Sequence, residues 1–183
     1  MKSDIVLTLN FSINAIIYSN VSYGSFSILS KTFILSKQRS IFPFNKSLKN
    51  EFKLPGGGID EGESPEQGFI REVLEETGCE VEIIEALGTI EEHKTLDNFK
   101  QISYVFIGKV LKDTNELHVT EKEKDEGAKL IWETPENALK LITDCYNNLI
   151  ASKYESVYHT KFIVFRDRKI LEKYIELNEE KNV

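Results

Sequence analysis

The stretch from Leu54 to Cys79, LPGGGIDEGESPEQGFIREVLEETGC, constrains this chain more than any other. Its three consecutive glycines, Gly56 to Gly58, allow tight backbone turns that side chains would obstruct. Ser64 followed by Gln67 has the form of a capping box, Pro65 suits the first helical position, and Gly78 suits the C-cap. The pattern predicts a helix from about Pro65 to Thr77. At about 100° per residue, Glu72, Glu75 and Glu76 fall on one stripe, while Ile70, Val73, Leu74 and Thr77 project the other way. Like charges at this spacing repel one another and ask for a compensating cation. A hard divalent metal, which prefers carboxylate oxygens, is the natural one. Spacing alone also fits a surface helix with a solvated acidic face.

The 183 residues suffice for one domain with a sizeable core. With 40% hydrophobic and 29% charged residues, the composition is that of an ordinary soluble globular protein. A net charge of −7 argues against a broad electrostatic grip on nucleic acid or on an anionic membrane. A small phosphorylated ligand remains compatible, because a bound metal reverses the local sign. Cys79 and Cys145 show no CxxC spacing and cannot form a disulfide framework, so a reduced, cytoplasmic setting is the simplest expectation. The N-terminal segment has no secretory cleavage site, and no run is long enough to span a bilayer.

In chain order, Ile5 to Tyr18 and Ile28 to Leu35 read as strands, with an antiparallel pair as one arrangement. Lys37 and Arg39 follow as strand-end charges, solvated in the simpler reading. Ser40 to Lys53, with Pro43 and two asparagines, reads as a loop leading to a short strand at Phe52 to Leu54. After the helix, Glu80 to Glu91 and Phe99 to Leu111 read as strands joined through His93 to Asn98, with Asp97-Asn98 as turn residues. Ala128 to Trp132 reads as a short strand and Pro135 to Ile150 as a second helix. Tyr158 to Phe165 reads as a strand and Asp167 to Glu179 as a terminal helix. The basic residues Lys161, Arg166, Arg168 and Lys169 read as a solvated face, with contact to phosphate as the alternative. The class is α/β, a mixed sheet between helices.

Gly57, Glu63 after five intervening residues, Arg71-Glu72 after seven more, then Val73, Glu75-Glu76 and Gly78 fit the pattern G-x5-E-x7-R-E-U-x-E-E-x-G-U, where U is a bulky aliphatic residue. The stretch therefore resembles the Nudix box. Its single departure is Cys79 at the final aliphatic position, where a small buried thiol substitutes as an apolar group. The resemblance implies a Nudix-type α/β/α sandwich, and the chain reads as a single such domain over residues 1–183 with a C-terminal strand and helix extension at about 154–183. It also implies a hydrolase that cleaves a pyrophosphate bond in a nucleoside diphosphate linked to another moiety. Magnesium, with manganese as an alternative, would be held by Glu72, Glu75, Glu76 and the carbonyl of Gly56. Gly57, Glu63 and Arg71 would support the site, with Arg71 paired to Glu63 and pointing away from the acidic stripe.

The candidates for catalytic base are the box glutamates Glu75 and Glu76 and the later-loop glutamates Glu121, Glu123 and Glu126; of the latter Glu126 is preferred, as a base or additional ligand, beside the reading of a solvated loop charge, and His93 is a weaker candidate. Substrate selection is nearly silent. Subfamily signatures for ADP-ribose, dinucleoside polyphosphate and coenzyme A hydrolases are missing, for no proline occurs between Pro65 and Pro135 and the first tyrosine after the box is Tyr104. A nucleoside triphosphate or nucleotide sugar stays open, with Phe44, Phe99, Tyr104 and Trp132 as aromatic residues that would stack on a base or fill the core. The expected partner is a small nucleotide, with no nucleic acid or membrane, and a homodimer is compatible. Two rivals stand beside this: a Nudix-fold nucleotide sensor without turnover, and a prenyl diphosphate isomerase, which would need a cysteine in an active-site loop.

Overall fold

The computed structural model describes residues 6–10, 25–35, 41–46, 51–114, 116, 125, 128–150 and 156–181. A four-stranded sheet runs in the order β1 (Val6–Asn10), β5 (Cys79–Lys94), β6 (Phe99–Asp113), β2 (Ser25–Leu35). A smaller antiparallel sheet runs in the order β4 (Glu51–Lys53), β3 (Ile41–Lys46), β7 (Ala128–Trp132). Three helices complete the described elements: α1 (Pro65–Thr77), α2 (Pro135–Asn147) and α3 (Val157–Lys181).

The long β5–β6 hairpin is the spine, and its turn chemistry is as the sequence predicts. A 3-10 turn at Thr95–Asp97 ends on Asn98 with φ of 47°, a left-handed position that asparagine tolerates. Alternation along β6 then feeds two separate cores. Val105 and Ile107 join Leu87, Ile90 and the apolar faces of α2 and α3. Tyr104 and Phe106 project to the other face and meet Phe69, Val73, Cys79 and Val81 under α1. A sheet with α1 on one side and α2 and α3 on the other is the α/β/α sandwich expected. Phe69 and Phe106 meet edge to face at 5.3 Å, a contact open only because Gly108 carries no side chain where the Phe69 ring passes.

Four expectations need correction. β1 and β2 do not pair with each other: β1 runs antiparallel to β5, and β2 runs parallel to β6 from Ser25↔Phe99 to Leu35↔Lys109. Part of Ser40 to Lys53 is strand β3, not loop. Pro43, which has no N–H to donate, sits where the register shifts between Phe42 and Phe44, the kind of position at which a sheet tolerates proline. Tyr158 to Phe165 is helical and continuous with the terminal helix. Thr160, Phe162, Val164 and Arg166 are all buried, which mimics a strand's alternation, yet the apolar line Val164, Leu171 and Tyr174 around Asp167 has helical spacing. On α1, Phe69, Val73 and Thr77 face the core, whereas Ile70 and Leu74 are exposed, so the buried face is rotated toward Glu76.

Candidate active site

Helix α1 begins and ends as its sequence dictates. Ser64 Oγ accepts from Gln67 N at 3.2 Å and Gln67 Oε1 accepts from Ser64 N at 2.8 Å, and Gly78 closes the helix with φ of 68°. This fixed rod presents its glutamates to the glycine loop that leaves β4. Leu54 is fully buried, and Gly56 adopts φ of 129°, a conformation that residues with a Cβ rarely take. The Gly56 N–H donates to Glu76 Oε2 at 2.7 Å, and Lys53 Nζ stands 3.4 Å from Glu76 Oε1. Glu76 is therefore a buried carboxylate compensated from two sides.

Arg71 binds the loop to the helix. Its Nε and one terminal nitrogen each lie 2.9 Å from the Glu63 carboxylate in a two-pronged fork, and that same terminal nitrogen donates to Gly58 O at 2.8 Å. The pairing with Glu63 matches expectation, but Arg71 does not point away from the acidic stripe. Its other terminal nitrogen reaches Glu72 Oε1 at 2.8 Å and Glu75 Oε2 at 3.3 Å, because a planar guanidinium has donors to spare after the fork is made.

These contacts set the electrostatics. The hydrogen bond from Arg71, then that from Asp60 N, holds the Glu63 carboxyl below its usual range. Glu63 in turn does most to raise the Arg71 pKa. Burial pushes the Glu72 carboxyl upward, the hydrogen bond from Arg71 opposes this, and the charges of Glu76 and Glu75 add to the rise. Glu72 also rests directly on Gly57, where a Cβ would lie 2.4 Å from Oε2. Among the described residues no three carboxyl, imidazole or thiol groups converge into a ready cation cage. Instead the guanidinium of Arg71 and the ammonium of Lys53 supply the positive charge beside the glutamates.

The structure thus brings Gly56, Gly57, Glu63, Arg71, Glu72, Glu75 and Glu76 together. Glu126, Glu121, Glu123, Lys37 and Arg39 lie outside the described residues, as does the Phe44 side chain. His93 stands 3.6 Å from Glu91. Tyr104 and Trp132 pack against the α1 core, so these two aromatic residues serve packing. Lys53 was not singled out as a site residue in the sequence. The signal for it was its place two residues before Pro55, at the end of the strand that launches the loop. Arg166 is not on a solvated face: it is 1% exposed and paired with Glu92 and Asp167.

This fold, with this box, defines a known class. The NUDIX domain family matches residues 21–151, most of the chain, and the chain belongs to that family. Over 50 residues it is 48% identical to an RNA pyrophosphohydrolase of a Sulfurovum species, a segment covering 27% of this chain and 31% of that one. Over 104 residues it is 32% identical to diphosphoinositol polyphosphate phosphohydrolase 3-alpha of Mus musculus, covering 57% of this chain and 59% of that one. The chain thus spans under two thirds of the length of these curated relatives. Among solved structures, a Bacillus subtilis pyrophosphohydrolase superimposes with a TM-score of 0.63 at 16% identity, covering 97% of this chain and 92% of that one. A NUDIX hydrolase from Nitrosomonas europaea gives 0.50 at 17% identity, covering 71% and 95%. No helix among the described residues is long and apolar enough to cross a membrane.

Proposed function

We propose that this protein is a divalent-metal-dependent hydrolase that cleaves a pyrophosphate bond in a nucleoside diphosphate linked to another group, a nucleoside triphosphate or a nucleotide sugar. The observation that carries the reading is the set of three glutamates on α1, held at the glycine loop by Arg71, Lys53 and the Gly56 N–H. The donor set suits the group: carboxylate oxygens are hard ligands, and the space that Glu72 occupies exists only because position 57 lacks a Cβ. Glu72, Glu75, Glu76 and the Gly56 carbonyl would hold the ion. Bound magnesium supplies charge neutralisation on phosphoryl oxygens and a more acidic water.

The chain's own groups do the rest. Glu75 has the most exposed side chain of the three, 47% against 14% for Glu72 and 12% for Glu76, which supports it as the box carboxylate that takes a proton from water. Glu126 keeps its candidacy as base or additional ligand. Arg71 keeps the loop and helix in register, so that Gly56 and the glutamates meet the substrate as one unit. Lys53 adds a cation beside Glu76, suited to phosphate oxygens. The relatives' names, pyrophosphohydrolase and polyphosphate phosphohydrolase, agree with this chemistry.

The test is a substrate panel with magnesium: nucleoside triphosphates, nucleotide sugars, a dinucleoside polyphosphate, a diphosphoinositol polyphosphate and a 5′-triphosphorylated RNA. Release of phosphate, pyrophosphate or nucleoside monophosphate is expected from a nucleotide member, and Glu75→Gln or Glu76→Gln is expected to abolish it with the fold intact. Full activity in either variant removes it from the site. Tight nucleotide binding without product across the panel would make the protein a sensor instead.

A further inference from the structure

The family match ends at residue 151, yet the helix beyond it reaches the glycine loop. Asp167, in the middle of α3 and fully buried, accepts the Leu54 N–H on Oδ2 at 2.7 Å. Its other oxygen takes Arg166 Nε at 2.9 Å. Arg166 Nη1 continues to Glu92 Oε2 on β5, also at 2.9 Å, and Gln101 of β6 donates to that same oxygen. Arg166, Asp167 and Glu92 are at most 1% exposed. Charges this deeply buried are costly to bring together, and a core of this size could fill the space with apolar side chains at no loss. Their arrangement does one thing that apolar side chains cannot: it presents a fixed acceptor to one particular backbone N–H.

That N–H belongs to Leu54, and Gly56 follows two residues later with its own N–H held by Glu76. Between the two anchors only Pro55 intervenes, with φ locked by its ring. The start of the loop is therefore clamped twice, at Leu54 by the C-terminal helix and at Gly56 by the box helix. We propose that Asp167, locked by Arg166 and Glu92, is a positioning residue: it sets the backbone of Leu54 to Gly56, and through it the Gly56 carbonyl and Glu76. The catalytic consequence rests on the hydrolase reading above, whereas the positioning itself does not.

Amide hydrogen exchange tests the positioning without substrate. In Asp167→Ala the Gly56 amide loses about 10- to 100-fold of its protection relative to the β6 amides, the scale expected when a buried donor such as Leu54 N–H is left unsatisfied. Ile170→Ala, in the same helix and equally buried, leaves that ratio unchanged. Asp167→Asn, which keeps an oxygen for the Leu54 N–H, restores most of the protection. An unchanged ratio in Asp167→Ala, or an equal fall in Ile170→Ala, overturns the proposal. Should Asp167→Ala fail to fold, the wild-type protein in sub-denaturing denaturant decides: Gly56 must open in the same step as Val164 to Leu171, and a Gly56 amide that stays protected after that helix has opened refutes the clamp. With a substrate in hand, Asp167→Ala lowers kcat about 100-fold with little change in KM, the cost of a misplacement near 1 Å, while Ile170→Ala retains kcat. A wild-type protein inert on every substrate removes the hydrolase reading and leaves the exchange result standing.

Discussion

Gly57→Ala is the sharpest perturbation of the site, because its effect can be worked out atom by atom. A Cβ at position 57 would lie 2.4 Å from Glu72 Oε2 and 2.5 Å from its Cδ and Oε1, where ordinary contact begins at 3.4 Å. The carboxylate must therefore retreat by about 1 Å, a displacement that in a catalytic constellation costs about 100-fold in rate. That corresponds to about 2.7 kcal/mol in the barrier. The backbone itself raises no objection: Gly57 is not among the glycines at positive φ. An added methyl gains about 0.4–1 kcal/mol through the unfolded chain where it is free of strain, but here the displaced Glu72 carboxylate gives up its hydrogen bond from Arg71, so the melting temperature should hold or fall slightly. Gly58→Ala is the internal control, since a Cβ there meets nothing within 4 Å. The assay is kcat on the best nucleotide of the panel, with manganese affinity by calorimetry and the melting temperature measured in parallel. A Gly57→Ala protein with wild-type kcat and wild-type metal affinity would refute the placement of Glu72 in the ligand set.

Other outcomes follow from the same geometry. Ser64→Ala removes the acceptor for Gln67 N and should destabilise the protein by about 1 kcal/mol, read as a fall of about 2–4 °C in melting temperature. Gly108→Ala sets a Cβ 2.9 Å from Phe69 Cζ and should cost about 1–3 kcal/mol by overpacking, measured by denaturant titration; a neutral result would mean the Phe69 ring swings aside freely. Burial pushes the Cys145 thiol up to about 11 from 9.0. Its folded pKa exceeds its unfolded one, so the stability it contributes is present below the unfolded pKa and is lost as pH rises toward 11, by about 2–3 kcal/mol relative to Cys145→Ala. Ellman's reagent should find neither cysteine in the native protein near neutral pH, since both are buried and Cys79 is also shifted upward.

What the sequence made legible was local. Helix α1 carries its start, stop and acidic face within one run of residues, and the β5–β6 hairpin carries its own turn, so both could be read from nearest neighbours. The parallel pairing of β2 with β6 joins residues 74 positions apart, Ser25 with Phe99, and no local signal encodes such a partner. Strand β3 was hidden by Pro43, whose missing N–H is accommodated at a register shift that only the folded sheet defines. Helix α3 was half-hidden by Ile163, Val164 and Phe165, a β-favouring run that its burial against α2 and the sheet overrides.

The site divides along the same line. The glutamates and glycines follow from the box, and so does the Glu63–Arg71 fork. The reach of Arg71 onto Glu72 and Glu75 does not, because a helical wheel places Cβ atoms and not the ends of long side chains. Nor does Lys53, whose meaning depends on a contact across 23 residues. The burial of Arg166 and Asp167 is the most instructive failure. A charged pair reads as solvent-facing from composition, yet here it falls on the same helical line as Val164, Ile170, Leu171 and Tyr174. Charges centred on an apolar face are either an error of register or a device, and the pairing of Arg166 with both Asp167 and Glu92, together with a hydrogen bond to a loop backbone, is what distinguishes the second from the first.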